Sequence, residues 1–320
     1  MWAVIVQTSQ SVLGLYLVGL LGFFLARSGY LGFEARQIFP KLVTQVALPP
    51  YLFVSVVNSF NRDQLEHLIY GSIIPILSIL TIFFLGVLYT KLRNAKKSRR
   101  GIISVGAATS NTIFIGLPVN LALFGPDALP YVLLYFFANS SFFWTIGNYS
   151  LSLDGERPPE KFRGLLALKA ILSPPLLGFL IGICCIVLAY HPPKVFMDSC
   201  SMVGSLTTPL ALLFIGITLA SCKLEALKPD LDLIMVLTGR FILSPLCVLL
   251  LARLLFPQLP SLMIKVFIIQ SSLPSATNLA LMSGYHSSDT SFASVVVSFS
   301  TILSLVTIPI FMFIFSIVDI

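Results

Sequence analysis

Ten long apolar runs, separated by short polar stretches, fill almost the whole chain. Each run is close to the length of about 20 residues that an α-helix needs to cross a bilayer, and none shows the apolar–polar alternation of a membrane-barrel strand. The pattern predicts an all-α integral membrane protein with ten transmembrane helices. We number these predicted spans 1 to 10; they lie near residues 5–26, 38–57, 68–90, 101–124, 129–152, 168–190, 200–221, 232–255, 262–283 and 291–318.

The composition restricts the class of protein further. Of the 320 residues, 57% are hydrophobic and only 10% are charged, whereas a soluble domain carries about a quarter charged residues. This excludes a large cytosolic catalytic module, a secreted disulfide scaffold and a nucleic-acid-binding domain, so the expected surroundings are the lipid bilayer. The five cysteines have no metal-ligand or redox spacing, and we expect neither a metal nor a cofactor.

The distribution of Lys and Arg predicts the orientation of the spans. With the N-terminus outside, the cytoplasmic segments hold 15 of the 20 basic residues and the opposite side holds three. The positive-inside rule therefore places both termini on the outer side of the plasma (inner) membrane. We interpret the basic run from Lys91 to Arg100 as a topology anchor; a lipid-binding or nucleic-acid-binding patch is the alternative.

Two landmarks indicate an internal duplication. The string Asn-Leu-Ala-Leu occurs at 120–123 and again at 278–281, and the prolines of spans 4 and 9 are offset by about the same distance as those of spans 2 and 7. We predict a first five-helix repeat at 1–152, a short cytoplasmic linker at 153–167 and a second repeat at 168–320. Because five is an odd number, the second repeat must be inverted. Inverted repeats with interrupted helices at matching positions are typical of secondary transporters.

Spans 4 and 9 also hold the strongest candidates for a binding site. Residues 110–118 combine Ser, Asn, Gly and Pro in mid-span, and residues 270–278 repeat the arrangement with more polar side chains. Backbone groups freed by proline are costly in hydrocarbon unless protein or a water-filled cavity satisfies them. The two segments therefore predict either a substrate cavity or two structural kinks. If both helices unwind at their prolines and cross, the exposed helix N-termini would bind an anion.

The charged residues favour an anionic substrate as well. All 13 Asp and Glu residues lie in loops or near span ends, whereas Arg240 and Lys265 fall inside predicted spans. Lys265 is near enough to the span end to reach the outer interface, and Arg240 could stabilise helix ends or touch substrate. We find no intramembrane His or carboxylate that could act as a base or metal ligand, so we do not expect an enzyme. The predicted substrate-binding residues are Asn111, Gly116, Pro118, Asn139, Gln270, Ser272, Pro274 and Asn278.

Four strings of the sequence resemble the auxin efflux carrier family, which includes plant PIN-FORMED auxin carriers and bacterial malate or malonate permeases. They are SNTIFIGLP in span 4, IKVFIIQSSLP in span 9, GRFILSP in span 8 and IGITLASCKLE after span 7. The resemblance implies ten helices in two inverted repeats, with a scaffold from helices 1, 2, 6 and 7 and a transport domain from helices 3–5 and 8–10. It also implies that helices 4 and 9 are crossover helices broken at proline. The outer faces of the scaffold could pair two copies in a homodimer.

The resemblance carries over to individual residues. Asn111 matches the family's Asn implicated in binding a substrate carboxylate, Pro118 and Pro274 match the crossing prolines, and Asn139 falls where the auxin carriers have a polar Gln. For Asn139, a hydrogen bond between helices is the alternative role. Leu52 stands where the auxin carriers place a serine, and only residues 154–163 replace the long hydrophilic loop of many plant members. A compact, prokaryote-style carrier is therefore favoured.

Together these observations predict a secondary transporter that moves a small carboxylate anion by alternating access. A sodium-coupled symporter of the bile-acid type shares the crossed-helix fold and is one alternative, although it would need a polar and acidic ion cage. A membrane sensor that transports nothing is the other alternative.

Overall fold

The computed structural model describes residues 2–32, 34–59, 71–155, 174–220 and 230–317, and these residues are almost entirely helical. The first half contains α1 (Trp2–Arg27), α2 (Ala35–Lys41), α3 (Leu48–Ser59), α4 (Ile73–Leu92), α5 (Arg100–Ala108), α6 (Leu117–Phe124), α7 (Leu129–Phe142) and α8 (Asn148–Asp154). The second half contains α9 (Pro174–Val187), α10 (Lys194–Gly204), α11 (Thr207–Ala220), α12 (Leu231–Thr238), α13 (Ser244–Leu255), α14 (Ser261–Ser271), α15 (Asn278–Tyr285) and α16 (Thr290–Ile317).

Three pairs of helices continue into one another through a single widened π turn. These turns are Leu42–Ala47 before α3, Phe143–Gly147 before α8 and Gly239–Leu243 before α13, whereas a fourth, Thr112–Gly116, begins the helical segment of α6 after an interruption. A π turn adds one residue to the helical repeat without ending the helix, and such turns occur often at functional sites. Joined in this way, short α-helical pieces become rods long enough to cross a bilayer.

Among the described residues, six helices are long and apolar enough to cross a membrane: 37–58, 73–92, 126–154, 194–220, 231–255 and 290–311. Four shorter apolar helices lie at 13–27, 112–124, 174–187 and 261–271. The expectation of an all-α membrane protein is confirmed at this level. The count of ten spans and the inverted repeats stay predictions.

The chain divides into two compact units. The first comprises residues 1–70, 113–133 and 171–222, and the second comprises 71–112, 134–170 and 223–320. Both units therefore draw on both halves of the chain. The predicted linker lies outside the described residues beyond Gly155, and the predicted repeats and scaffold and transport domains stay predictions.

Glycines set the close helix packing of the first unit. A Cβ atom at Gly216 of α11 would overlap the carbonyl oxygen of Gly19 in α1, and one at Gly178 of α9 would overlap that of Pro49 in α3. At Gly204 of α10, a Cβ atom would approach the α3 backbone within 2.8 Å. Small residues that let helix backbones approach are typical of interfaces between helices in membranes.

The second unit is built around α5. Every residue of α5 after Arg100 is buried, and the helix packs against α4, α8 and α12. Gly86 in α4 and Gly101 in α5 allow this contact, because a Cβ atom at either would lie 2.7 Å from backbone of the neighbouring helix. The polar and broken segment that follows α5 is therefore held by a rigid support.

An ion-pair cluster lies at the N-terminal end of α5. Arg99 donates to Asp230 and to Asp289, each at 2.7 Å, and its guanidinium lies 4.2 Å from the ring centre of Phe292. Asp230 and Asp289 also accept hydrogen bonds from the first backbone amides of α12 and α16. One residue of the basic run thus joins three helix ends, a role that the sequence analysis did not anticipate.

Candidate functional site

Two helix breaks meet inside the second unit. The backbone N–H of Asn111 donates to the carbonyl oxygen of Pro274 at 2.9 Å, and that of Ala276 donates to Thr109 at 3.3 Å. These bonds pair Ser110 with Ser275 in an isolated antiparallel bridge. We call residues 109–111 and 272–277 the paired breaks. At each break, backbone N–H and C=O groups lose their helical partners. Here they form hydrogen bonds with the backbone of the other break, because unpaired polar groups are costly in an interior of low polarity.

Local chemistry explains where the two helices stop. Pro274 lacks a backbone N–H and cannot continue α14. The hydroxyls of Thr109, Ser271 and Ser272 donate to carbonyl oxygens three or four residues earlier, which competes with the helical pattern.

In span 4 the break lies at 109–111, whereas Pro118 lies in the first turn of α6. The expectation that this helix unwinds at Pro118 is therefore wrong, because a proline is tolerated in a first turn and the preceding π turn accommodates it.

The side chain of Asn139 holds the first break. Its Oδ1 atom accepts from the backbone N–H of Ser110 at 2.9 Å, and its Nδ2 atom donates to the Ser110 carbonyl at 3.0 Å. The carboxamide thus pairs with Ser110 as a neighbouring strand would. Asn139 on α7 fixes the conformation of residue 110, and its predicted role as a substrate ligand stays a prediction.

The second break is held by two serines that the sequence analysis did not single out. The hydroxyl of Ser275 donates to Gly106 at 2.8 Å, and the backbone N–H of Ser275 donates to the hydroxyl of Ser300 at 3.1 Å. Ser275 lies inside the polar string of span 9. Ser300, Thr301 and Ser304 all lie buried on α16, and their helical spacing was the available signal.

Arg240 joins both breaks. Its side chain has no exposed surface, and its Nε and Nη1 atoms donate to Leu273 at 3.1 Å and Ala107 at 3.0 Å. A third bond runs from Nη2 to the Ser271 carbonyl. Ala107 and Ser271 lie at the C-terminal ends of α5 and α14, where carbonyls lack helical partners and carry partial negative charge. Of the two roles considered for Arg240, stabilising helix ends is the one that the structure shows.

Several buried polar atoms beside the breaks have no well-formed hydrogen bond within the part of the chain that the structure describes. They include the hydroxyl of Ser110 and the side-chain carbonyl oxygen of Gln270. The hydroxyl of Tyr135 approaches Ser110 and Ser244, but its geometry with either is poor. The Nε2 atom of Gln270 reaches Thr112 only at 3.5 Å. Buried polar atoms in native proteins nearly always have a partner, so these atoms are available to a ligand.

The structure brings part of the predicted site together. Asn111 and Pro274 form the bridge, Asn139 supports it and Gln270 is buried next to it. Within the same unit, the hydroxyl of Ser272 is bonded to Ile269, and the half-buried Asn278 begins α15. Gly116 and Pro118 belong to the other unit.

Candidate metal ligands do not cluster in the described ranges, where no three His, Cys, Asp or Glu side chains come together. The polar chemistry of the paired breaks is that of neutral amides and hydroxyls around one buried guanidinium. Such a set can bind a carboxylate through hydrogen bonds without presenting a ligand set for a cation.

Comparison with known proteins places these features in context. A family model described as membrane transport protein matches residues 7–162 and 148–312. An uncharacterized transporter of Methanothermobacter thermautotrophicus is 26% identical over 94% of this chain and 96% of its own length. A second one, from Methanocaldococcus jannaschii, is 25% identical over 93% and 95% of the two chains. A protein of Rhizobium meliloti named "Putative malonate transporter" is 22% identical over 86% and 85%.

Proposed function

The chain belongs to the membrane transport protein family, in agreement with its resemblance to the auxin efflux carriers, and on that premise we propose that it is a secondary transporter of small carboxylate anions. Transport proceeds by alternating access, with the substrate bound at the paired breaks. The proposal includes the ten spans in two inverted repeats, a location in the plasma membrane and both termini on the outer side. We also propose that two copies form a homodimer, which is an inference from the resemblance to the auxin efflux carriers.

Arg240 is the observation that carries the preference for an anion. It is a full cation with no exposed surface, and no Asp or Glu of the described residues forms an ion pair with it. Three backbone carbonyls bind its donors, but carbonyls supply only partial charge. Since electrostatic effects are strong in a medium of low polarity, we infer that the charge of Arg240 favours an anion over a cation at the paired breaks.

Neutral groups would then make the direct contacts with the substrate. We assign Asn111 as a donor to the carboxylate, with the Ser110 hydroxyl and the Nε2 amide group of Gln270 as further donors. The Oε1 atom of Gln270 is an acceptor, so it can bind only a donor such as a water molecule or a substrate hydroxyl. Each hydrogen bond to a charged group stabilises the complex by about 1.5 to 3 kcal/mol. A few such bonds give an affinity from which a carrier can still release its substrate. Arg240 acts through its field and by positioning the breaks.

A short dicarboxylate is the substrate that we expect to fit best. The Rhizobium relative is named for malonate transport, and two carboxylates on a small carbon skeleton suit a site with one buried cation and several neutral donors. A sodium-coupled mechanism would require buried acidic ligands. Asp154 is the one buried acidic residue within the described ranges, and its carboxylate accepts from the backbone of Gly101 and Ile102.

Uptake by proteoliposomes tests the proposal. The purified chain is reconstituted, and entry of radiolabelled malonate, malate and choline is measured with and without sodium and with an imposed potassium diffusion potential. We expect saturable malonate or malate uptake above protein-free vesicles, independent of sodium, and no choline uptake. Choline transport would contradict the anion preference, sodium-dependent uptake with saturable sodium affinity would indicate the bile-acid-type symporter, and no uptake of any acid would favour a sensor.

A further inference from the structure

A cavity lies in the second unit, near the C-terminal end of α4 and the N-terminal end of α5. It has a volume of about 910 Å³ and is lined by α4, α5, the π turn Phe143–Gly147 and α8. None of its lining residues belongs to the paired breaks. Its chemistry therefore has to be explained separately from substrate binding, and the inference below does not depend on the proposed function.

Much of the cavity lining is apolar. Phe83 and Val87 of α4 line the cavity together with Ile146, Tyr149 and Leu153. Ile146 and Tyr149 are each 38% exposed, and Leu153 is 43% exposed. Exposed apolar side chains on a membrane helix are suited to acyl chains, because hydrocarbon is the solvent that such a surface meets.

The rim of the cavity is basic. Lys91 at the end of α4 and Lys97 and Arg100 at the start of α5 line it and are exposed. The Nε atom of Arg100 donates to the Ala95 carbonyl at 3.0 Å, which holds this guanidinium at the rim. Three cationic side chains within one cavity favour a ligand with a phosphate or another strong anion.

One carboxylate lies in the cavity, but its charge is already engaged. The Oδ2 atom of Asp154 accepts from the backbone N–H groups of Gly101 and Ile102 at 2.6 and 3.2 Å. These are the first amides of α5, where the helix dipole offsets negative charge. The cavity as a whole therefore keeps a positive balance at its rim.

We propose that this cavity binds an anionic phospholipid, with the phosphate at Lys91, Lys97 and Arg100 and an acyl chain along the apolar lining. Basic pockets between membrane helices bind such headgroups. A free inorganic phosphate would use the rim but leave the apolar lining unused, so the observations favour the lipid. The sequence analysis considered a lipid-binding patch as an alternative role for the basic run. Our proposal gives that role to Lys91, Lys97 and Arg100, the three residues of the run that line the cavity.

Native mass spectrometry of the purified full chain tests this. The chain is titrated in detergent with phosphatidylglycerol or phosphatidylcholine, and lipid retention is compared with that of Lys91→Gln/Lys97→Gln. Each basic side chain near an anionic headgroup contributes substantially to binding, so we expect the double variant to bind phosphatidylglycerol roughly tenfold to thirtyfold more weakly. Wild-type protein should retain phosphatidylglycerol in preference to phosphatidylcholine.

The matched control is Arg93→Gln/Lys96→Gln, which removes the same charge from the same loop at two exposed residues that do not line the cavity. It should bind phosphatidylglycerol within about twofold of wild type. Equal losses in both double variants, or equal retention of the two lipids, would overturn the proposal. Displacement of the lipid by millimolar inorganic phosphate or malonate would also overturn it, since the cavity would then be an anion site or part of the transport path.

Unfolding temperatures in lipid-free detergent separate binding from folding. Because Lys91 and Lys97 are exposed, both double variants should unfold at the wild-type temperature before lipid is added. Phosphatidylglycerol should then raise the unfolding temperature of wild type and of the control more than that of Lys91→Gln/Lys97→Gln. An equal rise in all three proteins would contradict the assigned residues.

Discussion

At the scale of the residue, Arg240 combines two tasks. A buried cation is costly unless its donors are satisfied, and here backbone carbonyls of Ala107, Ser271 and Leu273 satisfy them. No Asp or Glu of the described residues forms an ion pair with the guanidinium. The side chain holds two helix ends together and, in the function that we propose, also favours an anionic substrate.

Replacing Arg240 with Gln should lower both stability and substrate affinity. Three buried carbonyls would lose their donor, and each unsatisfied buried group costs about 1 to 3 kcal/mol. Thermal unfolding in detergent and malonate affinity are the measurements. Arg240→Lys should keep part of the affinity but not the stability, because an ammonium cannot reproduce the fork of the guanidinium.

The exposed Lys194 on α10 is the control for Arg240. Its change to Gln should alter stability by less than about 0.5 kcal/mol. If Arg240→Gln unfolded at the wild-type temperature, the three hydrogen bonds would have no net stabilising effect. The role assigned to the side chain would then be wrong.

Asp289 gives the protein a defined response to acid. Burial opposes its charged form, but hydrogen bonds from the Phe292 amide and the Arg99 guanidinium outweigh burial, so the pKa of Asp289 lies below its usual value. A carboxylate with a lowered folded-state pKa stabilises the fold fully above the unfolded-state pKa of about 3.9, and this contribution disappears as the pH falls through the folded-state pKa.

The variant Asp289→Asn should therefore unfold at a lower temperature than wild type from pH 7 down to about pH 4. Below that pH the gap should narrow, because wild type loses the same charge that the variant lacks. Thermal unfolding across this pH series checks the prediction. A difference in unfolding temperature that stayed constant down to the lowest pH would show that the lost charge is not its cause. The control is Asp198→Asn at an exposed position on α10, which should give no comparable difference at neutral pH.

At the scale of the element, the sequence predicts which helices are interrupted better than it predicts the residues at which the interruptions lie. The polar strings of spans 4 and 9 correctly marked two interrupted helices, and Pro274 lies inside one break. The other break precedes Pro118 by seven residues, because pairing with residues 274–276 determines it. Such a contact joins positions more than 160 apart and leaves no local signature. The sequence offered a hydrogen bond between helices as one of two roles for Asn139. For the same reason, it did not identify Ser110 as the partner of Asn139, nor Ser275 as a residue that holds the second break.

Close helix packing provides a prediction at this scale. In the first unit, α1 and α11 approach so closely that a Cβ atom at Gly216 would overlap the Gly19 carbonyl. Gly216→Ala must push backbone against backbone, and such overpacking typically costs about 1 to 3 kcal/mol. The unfolding temperature of this variant should fall measurably.

Gly14 on the same helix α1 is the matched control, since nothing lies within 4 Å of the Cβ atom that Ala would add. Gly14→Ala should leave stability unchanged or raise it slightly, because Ala favours the helix over Gly by about 1 kcal/mol. If both variants behaved alike in thermal unfolding, the close approach of α1 and α11 would not be a feature of the folded protein.

At the scale of the whole molecule, the low charge and long apolar runs were sufficient to predict an all-α membrane protein, and the family strings were sufficient to predict a transporter. The apolar pattern alone could not predict the division of the chain into two units, because each unit combines segments from both halves. The resemblance implied a scaffold and a transport domain that each draw on both halves, and that assignment stays a prediction. The buried Arg240, the paired breaks and the unsatisfied polar atoms of Ser110 and Gln270 all lie in the second of these units. The proposed substrate site therefore depends on a single compact body.

Uptake of malonate by wild type and by Asn111→Ala tests the central claim most directly. Removing one hydrogen bond to a carboxylate should weaken apparent affinity about tenfold to a hundredfold. Ser283→Ala is the control, because the Ser283 hydroxyl is also buried but donates within its own helix to Leu279; it should leave affinity unchanged. We expect Asn111→Ala to lose affinity with no greater loss of unfolding temperature than this control, and normal malonate uptake by Asn111→Ala would contradict the account.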